Sequence, residues 1–162
     1  MEIRKTRLDD LDNVLSIFDS ARSFMRRSGN MVQWTNGYPG EDVILQDIQN
    51  GSSHVCLDGV AIAGVFSLIM GEDPTYAKIY KGGWLNDRPY GTIHRIAVGT
   101  HNNGVATFCL DWCFNNCLNL RIDTHEDNTA MRNLLNKNGF SYCGVIYLPD
   151  GFPRLVFQKA DK

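Results

Sequence analysis

TIHRIAVGTHNNGVATFCLDWCFNNCLNLRIDTHEDNTAMRNLLNKNGF, residues 92 to 140, is the stretch whose reading decides the fold. Ile93 to Val98 is an apolar run of strand type, and it enters a short polar loop containing Gly104. A helix follows at once, from Val105 to about Asn116. Backbone N–H groups at such a helix start have no intrahelical partner. Together with a helix dipole equivalent to about half a positive charge, they favour an anion such as a phosphate. A second apolar run, Leu118 to Ile122, ends at the polar cluster Asp123-Thr124-His125-Glu126-Asp127-Asn128. That cluster opens another helix, with Asp127 or Asn128 as its cap, Met131, Leu134 and Leu135 inward, and Gly139 as a left-handed stop.

Working outward, residues 2–6 read as a first strand. Asp9 or Asp10 caps a helix to about Arg27, since Leu11, Val14, Leu15, Phe18, Ala21 and Met25 repeat at three-and-four spacing. Met31 to Gly40 is a loop bearing Trp34 and Tyr38, and Glu41 to Gln49 is a second helix with acidic residues in its first turn. Ser53–Leu57 and Val60–Ile69 form a hairpin about Asp58-Gly59. The connection from Gly71 to Gly91 is long, and part of it is expected to extend the strands, because structureless loops of that length are uncommon. Tyr142–Leu148 and Arg154–Lys159 close the chain as an antiparallel pair about Pro149-Asp150-Gly151.

A chain of 162 residues suits one domain, 1–162, which buries roughly two-thirds of its unfolded surface. A net charge of −2 argues against nucleic acid as a partner, while a local nest of backbone amides needs no net charge to hold an anion. No apolar run approaches a membrane span of about 18 residues, and the N-terminus has no signal-peptide core, so a cytoplasmic protein off the membrane is expected. Cys109, Cys113 and Cys117 line one helical face without a C-x2-C pair or histidines beside them, the pattern of buried thiols rather than of a metal site. The sequence leaves open whether the chain forms a homodimer.

The segment His101-Asn102-Asn103-Gly104-Val105-Ala106 resembles the R/Q-x-x-G-x-G/A loop of the GNAT superfamily of N-acetyltransferases, and the run from Asn128 through Ala130 and Leu134 to Gly139-Phe140 resembles that family's second motif. The element order is also the one the family shows. The resemblance implies an α/β (α+β) GNAT fold: a mixed, mostly antiparallel sheet of six to seven strands, helices on both faces, and fourth and fifth strands splayed apart. It implies acetyl-CoA (coenzyme A) as co-substrate, with no metal. The pyrophosphate would meet the N–H groups of Asn102, Asn103, Gly104, Val105, Ala106 and Thr107, beside His101. The pantetheine arm would lie along Ile96, Ala97 and Val98 and meet Asn128. The acceptor, a small-molecule or peptide amine, would attack directly in a ternary complex.

The sequence departs from the pattern in three places. His101 stands where Arg or Gln is usual, the loop after Val98 is about two residues short, and Leu135 stands where many members carry an acidic Tyr. Tyr142 or a water is then a candidate acid. His94 is the candidate base, because an ordinary histidine pKa of about 6.5 suits proton removal from an ammonium; packing within the sheet is the other reading of that residue. Trp34, Tyr38 and Trp84 either line an amine pocket or cover the core. Leu135 also keeps a second hypothesis open, an acyl-CoA-binding or sensor protein without catalysis.

Overall fold

The structure, a computed structural model, describes residues 1–101 and 103–162. The elements run β1 (Glu2–Lys5), a 3-10 turn (Leu8–Asp10), α1 (Leu11–Arg27), α2 (Glu41–Gln49), β2 (Ser53–Asp58) and β3 (Ala61–Met70). After a second 3-10 turn (Pro74–Tyr76) come β4 (Gly91–Val98), α3 (Val105–Cys117), β5 (Asn119–Thr124), α4 (Thr129–Lys137), β6 (Ser141–Tyr147) and β7 (Pro153–Ala160). One seven-stranded sheet has the order β1-β2-β3-β4-β5-β7-β6. Its neighbours are antiparallel except β4 and β5, which are parallel. The mixed sheet is the one expected from the resemblance.

Strand alternation divides the core between the two faces. Val55, Val65 and Ala97 pack beneath α1 and α2, against Val14, Phe18 and Ile44. Their neighbours Cys56, Phe66 and Val98 turn the other way, toward Cys109 and Leu110 of α3 and Leu135 of α4. Fully burying one such large apolar side chain contributes about 1.5–3 kcal/mol. Covered on both faces, β2 and β3 therefore read as continuous apolar runs rather than as alternating ones.

Two features shape the centre of the sheet. First, β4 and β5 pair only at Gly91–Leu120 and Thr92–Arg121 and then part, as a splayed pair does. Second, β4 bulges: the register with β3 passes from Ser67–His94 to Val65–Ala97, so Arg95 and Ile96 together oppose Phe66. A bulge increases local twist and turns the second half of β4 away from β5. At the bulge Arg95 takes a left-handed φ of 51°, a conformation costing about 1–2 kcal/mol without glycine. A forked ion pair opposes that cost. Arg95 Nε donates to Asp47 Oδ2 at 2.7 Å and Nη2 to Oδ1 at 2.8 Å, and the Ser67 hydroxyl also donates to Oδ2 at 2.7 Å. Asp47 belongs to α2, so that helix clamps the bulge in place.

The connection from 71 to 90 differs from expectation. It adds little to the strands, apart from a bridge between Tyr80 and Val145. Buried polar side chains of the sheet hold it instead. Gln158 Oε1 accepts from Leu85 N–H, Arg121 Nη2 donates to Asn86 O, and Asn119 Nδ2 donates to the carbonyls of Arg88 and Pro89. Among the described residues no helix is long and apolar enough to cross a membrane.

Candidate active site

The splay opens two joined cavities. One, of about 520 Å³, lies between the second half of β4 and the N-termini of α3 and α4. The other, of about 620 Å³, lies beyond it, under the α1–α2 loop and the β6–β7 turn. Met25, Ile96, Asn128 and Met131 line both.

The smaller cavity gathers the residues expected to hold the coenzyme. Ile96, Ala97, Val98, His101, Asn103, Gly104, Val105, Ala106 and Thr107 all line it; Asn102 lies outside the described residues. Past Thr92 the β5 side of β4 has no strand partner, so that edge can accept an extended chain as an added strand. The first intrahelical bond of α3 is Phe108 N–H to Gly104 O, at 3.0 Å. The N–H groups of Ala106 and Thr107 precede it, and among the described residues Val105 N–H has only a long 3.4 Å bond to the Asn103 side chain. Gly104 is required for its left-handed φ of 81°; nothing stands within 4 Å of the place its Cβ would take. Close approach matters at Gly64 instead, where a Cβ would stand 2.9 Å from Val105 Cγ1 and 3.3 Å from Ala97 O. That glycine lets α3 begin directly over β3 and β4.

Charge in this cavity is arranged differently from the sequence expectation. His101 stacks on Phe24 at 3.8 Å between centroids. Desolvation, then nearby Arg27, lowers its pKa from the ordinary 6.5, so it is neutral at pH 7. The cation on the cavity wall is Lys137, in the last turn of α4. Residue patterning around the loop did not point to it, because the chain returns to this place 33 residues after Gly104. Asn128 caps α4, its Oδ1 accepting from Met131 N–H at 3.1 Å, while its Nδ2 donates to Gln33 Oε1 at 3.1 Å. Leu135 is fully buried in the core.

The larger cavity is walled by Trp34 and Tyr38 from the α1–α2 loop. Arg26 shapes that loop by donating to the carbonyls of Asn30, Gln33 and Trp34, and Arg95 Nη1 orients the Tyr38 hydroxyl at 3.1 Å. His94 lines the same cavity, with Nε2 2.9 Å from Asp73 Oδ2. The bond to His94, then those from Thr75, hold the Asp73 carboxyl down to about 2. Asp73 is thus an anion that can only accept, so His94 Nε2 is the donor of this bond. The Thr124 hydroxyl, buried on the wall, has no hydrogen-bond partner among the described residues. Among the described residues no group of three His, Cys, Asp or Glu side chains is placed to hold a metal.

Two expected residues lie elsewhere. Trp84 lines neither cavity; it lies over the Arg121 guanidinium at 4.0 Å, donates to Tyr76 O, and covers the core beside Tyr76. Tyr142 lies on the edge strand β6, is 52% exposed, and meets Phe157 edge-on, away from both cavities. It cannot reach a group bound between β4 and β5.

The whole chain resembles solved acetyltransferases. A GNAT-family acetyltransferase from Streptococcus agalactiae 2603 is 34% identical, with a TM-score of 0.91, over 99% of this chain and 95% of that one. A GNAT-family acetyltransferase from Bacillus cereus ATCC 10987 shares the fold at 19% identity and a TM-score of 0.66, over 99% of this chain and 98% of that one. A chain of the NatC complex bound to Gag peptide and CoA does so at 14% identity and a TM-score of 0.65, over 100% of both. No protein-family model matches the sequence, and no curated protein matches it significantly. Fold and paired cavities define an acyltransferase, and the chain belongs to the GNAT family of acetyltransferases.

Proposed function

We propose that the protein is an N-acetyltransferase that moves the acetyl group of acetyl-CoA to a primary amine in a ternary complex. The observation that carries this reading is the junction of the two cavities along the unpaired edge of β4, with an amide nest at one end and the His94–Asp73 pair at the other. The residues present fit the coenzyme. The N–H groups of Ala106 and Thr107, ahead of the first intrahelical bond, suit a pyrophosphate, Lys137 supplies a cation, and the β4 edge suits an amide-bearing arm. Bound there, acetyl-CoA supplies a thioester whose transfer makes one N–C bond, breaks one C–S bond and releases a thiol.

The chain's own residues then hold and deprotonate the acceptor. Asp73 fixes the His94 ring and its tautomer, and Nδ1 takes the first proton from the ammonium, directly or through one water. Backbone N–H groups near Ala97 and Val98 polarise the acyl oxygen. With Leu135 buried and Tyr142 remote, neither position supplies an acid; the second proton from nitrogen goes to the thiolate through water, or through the Thr124 hydroxyl. A coenzyme thiolate of ordinary pKa, about 8.5, is a tolerable leaving group without a strong acid. Most of the acceleration comes from holding the two reactants together.

Thiol release from acetyl-CoA across a panel of primary amines tests the reading, with thermal stability followed against coenzyme A in parallel. Acceptor-dependent release is expected. Coenzyme stabilisation without release from any amine would instead identify a binding or sensor protein, and no stabilisation at millimolar coenzyme A would remove the cofactor.

A further inference from the structure

We propose that Asp123 is the acceptor-binding carboxylate, that its Oδ2 receives the ammonium group of a primary alkylamine, and that the amine's apolar stem lies against Trp34 and Tyr38. The inference rests on the N-acetyltransferase reading and names the class of its acceptor.

The position follows from strand geometry. Thr92 and Arg121 are the last paired residues of β4 and β5. Two residues further along each strand, on the same face, stand His94 and Asp123. They flank the opening where the strands have parted, and both line the larger cavity. A shared neighbour ties them together: the Tyr76 ring lies 6.3 Å from the His94 ring, and its hydroxyl donates to Asp123 Oδ1 at 2.6 Å.

That bond prepares the carboxylate. Tyr76 is almost fully buried, and burial first, then the charge of Asp123, raises its pKa well above the ordinary 10. The phenol is therefore a permanent neutral donor and Asp123 the anion it holds. With Oδ1 engaged, the plane of the carboxylate is fixed, and Oδ2 has no hydrogen-bond partner among the described residues.

The other carboxylates at this site are either committed or lie at its outer rim. Asp73 accepts from Thr75 on one oxygen and meets His94 on the other. Asp47 is filled by Arg95 and Ser67. Asp150 lies exposed in the β6–β7 turn, at the outer rim, and caps Phe152 N–H. A partly buried anion with one open oxygen favours a ligand that arrives charged. An alkylammonium does so, having a pKa near that of lysine, about 10.4, whereas an arylamine is neutral. The same oxygen holds the nitrogen beside the base that must deprotonate it.

The experiment measures kcat and KM for acetyl transfer to propylamine and hexylamine against aniline, in wild type and in Asp123→Asn. Asparagine can still accept from Tyr76, so the wall is preserved. Losing a charge-assisted hydrogen bond should raise the alkylamine KM about 10- to 100-fold while kcat changes by less than about threefold. Aniline kinetics should not change, so the preference for the cation disappears. Hexylamine should add to the thermal stability of the coenzyme-loaded wild type and not to that of Asp123→Asn, while coenzyme A alone stabilises both. An unchanged KM, or a fall in kcat at constant KM, overturns the assignment and leaves the acetyltransferase reading standing. Failure of every amine to release thiol from wild type, with coenzyme A still bound, removes both.

Discussion

Replacing Asp47 with alanine removes the clamp on the β4 bulge, and its cost can be worked from the contacts. The Arg95 and Asp47 side chains are 13% and 7% exposed, so Asp47→Ala leaves a guanidinium largely out of water without its counter-charge. Breaking a buried pair in this way costs about 3–5 kcal/mol. The left-handed φ of Arg95 then has nothing to offset it, and Ser67 loses its acceptor. For a chain of this length each kcal/mol lowers Tm by about 2–4 °C, so a fall of roughly 6–20 °C is expected. Urea unfolding at constant m would give the free energy directly. Because Tyr38 is oriented by Arg95, amine KM should rise as well. The partner variant provides the internal control: in Asp47→Ala combined with Arg95→Ala the stranded charge is gone, and part of the stability should return as a coupling energy of about 1–3 kcal/mol. A loss below about 1 kcal/mol for Asp47→Ala, with purely additive behaviour in the double variant, would refute the argument that this pair holds the bulge.

Four further outcomes can be checked separately. Gly104→Ala places a Cβ on a residue with φ of 81°, so denaturant titration should show a loss of about 1–2 kcal/mol, with weaker coenzyme A stabilisation because the α3 amides turn away. Lys137→Gln should weaken coenzyme A binding about three- to tenfold and flatten its salt dependence in calorimetry, whereas His101→Gln at pH 7.5 should change it less than twofold. Leu135→Tyr restores the family's usual residue at a fully buried position; overpacking should cost about 1–3 kcal/mol by urea unfolding, and kcat should not rise. His54, stacked on Phe66, has its pKa lowered mainly by desolvation. Below about 6.5 the unfolded chain binds a proton that the folded chain refuses, so stability should fall as pH drops from 6.5 toward the folded pKa. His54→Gln should flatten the unfolding free energy across that window.

The sequence by itself determined the order of elements, the amphipathic faces of α1 and α4, and the strand–loop–helix unit at Gly104. These are local matters, written in spacing three and four, in alternation, and in capping residues such as Asn128 and Gly139. The loop proposed to meet the coenzyme was legible for the same reason: an amide nest is built from consecutive residues. The acceptor side was only half legible. His94, Trp34 and Tyr38 stood out by chemical type and do line the cavity, but Trp84 and Tyr142 stood out equally and do not. Composition cannot tell an aromatic wall from an aromatic cover, because both bury the same ring.

Tertiary structure alone decided the rest. Asp73 meets His94 across 21 residues, Tyr76 meets Asp123 across 47, and Asp47 meets Arg95 across 48. Lys137 reaches the smaller cavity only because the end of α4 packs beside α3. The bulge at Arg95 could not be read from an apolar run, since its left-handed residue is held by a helix 48 residues away. Pairing of charges and closing of cavities depend on distances in space, and a periodic pattern along the chain carries no information about them.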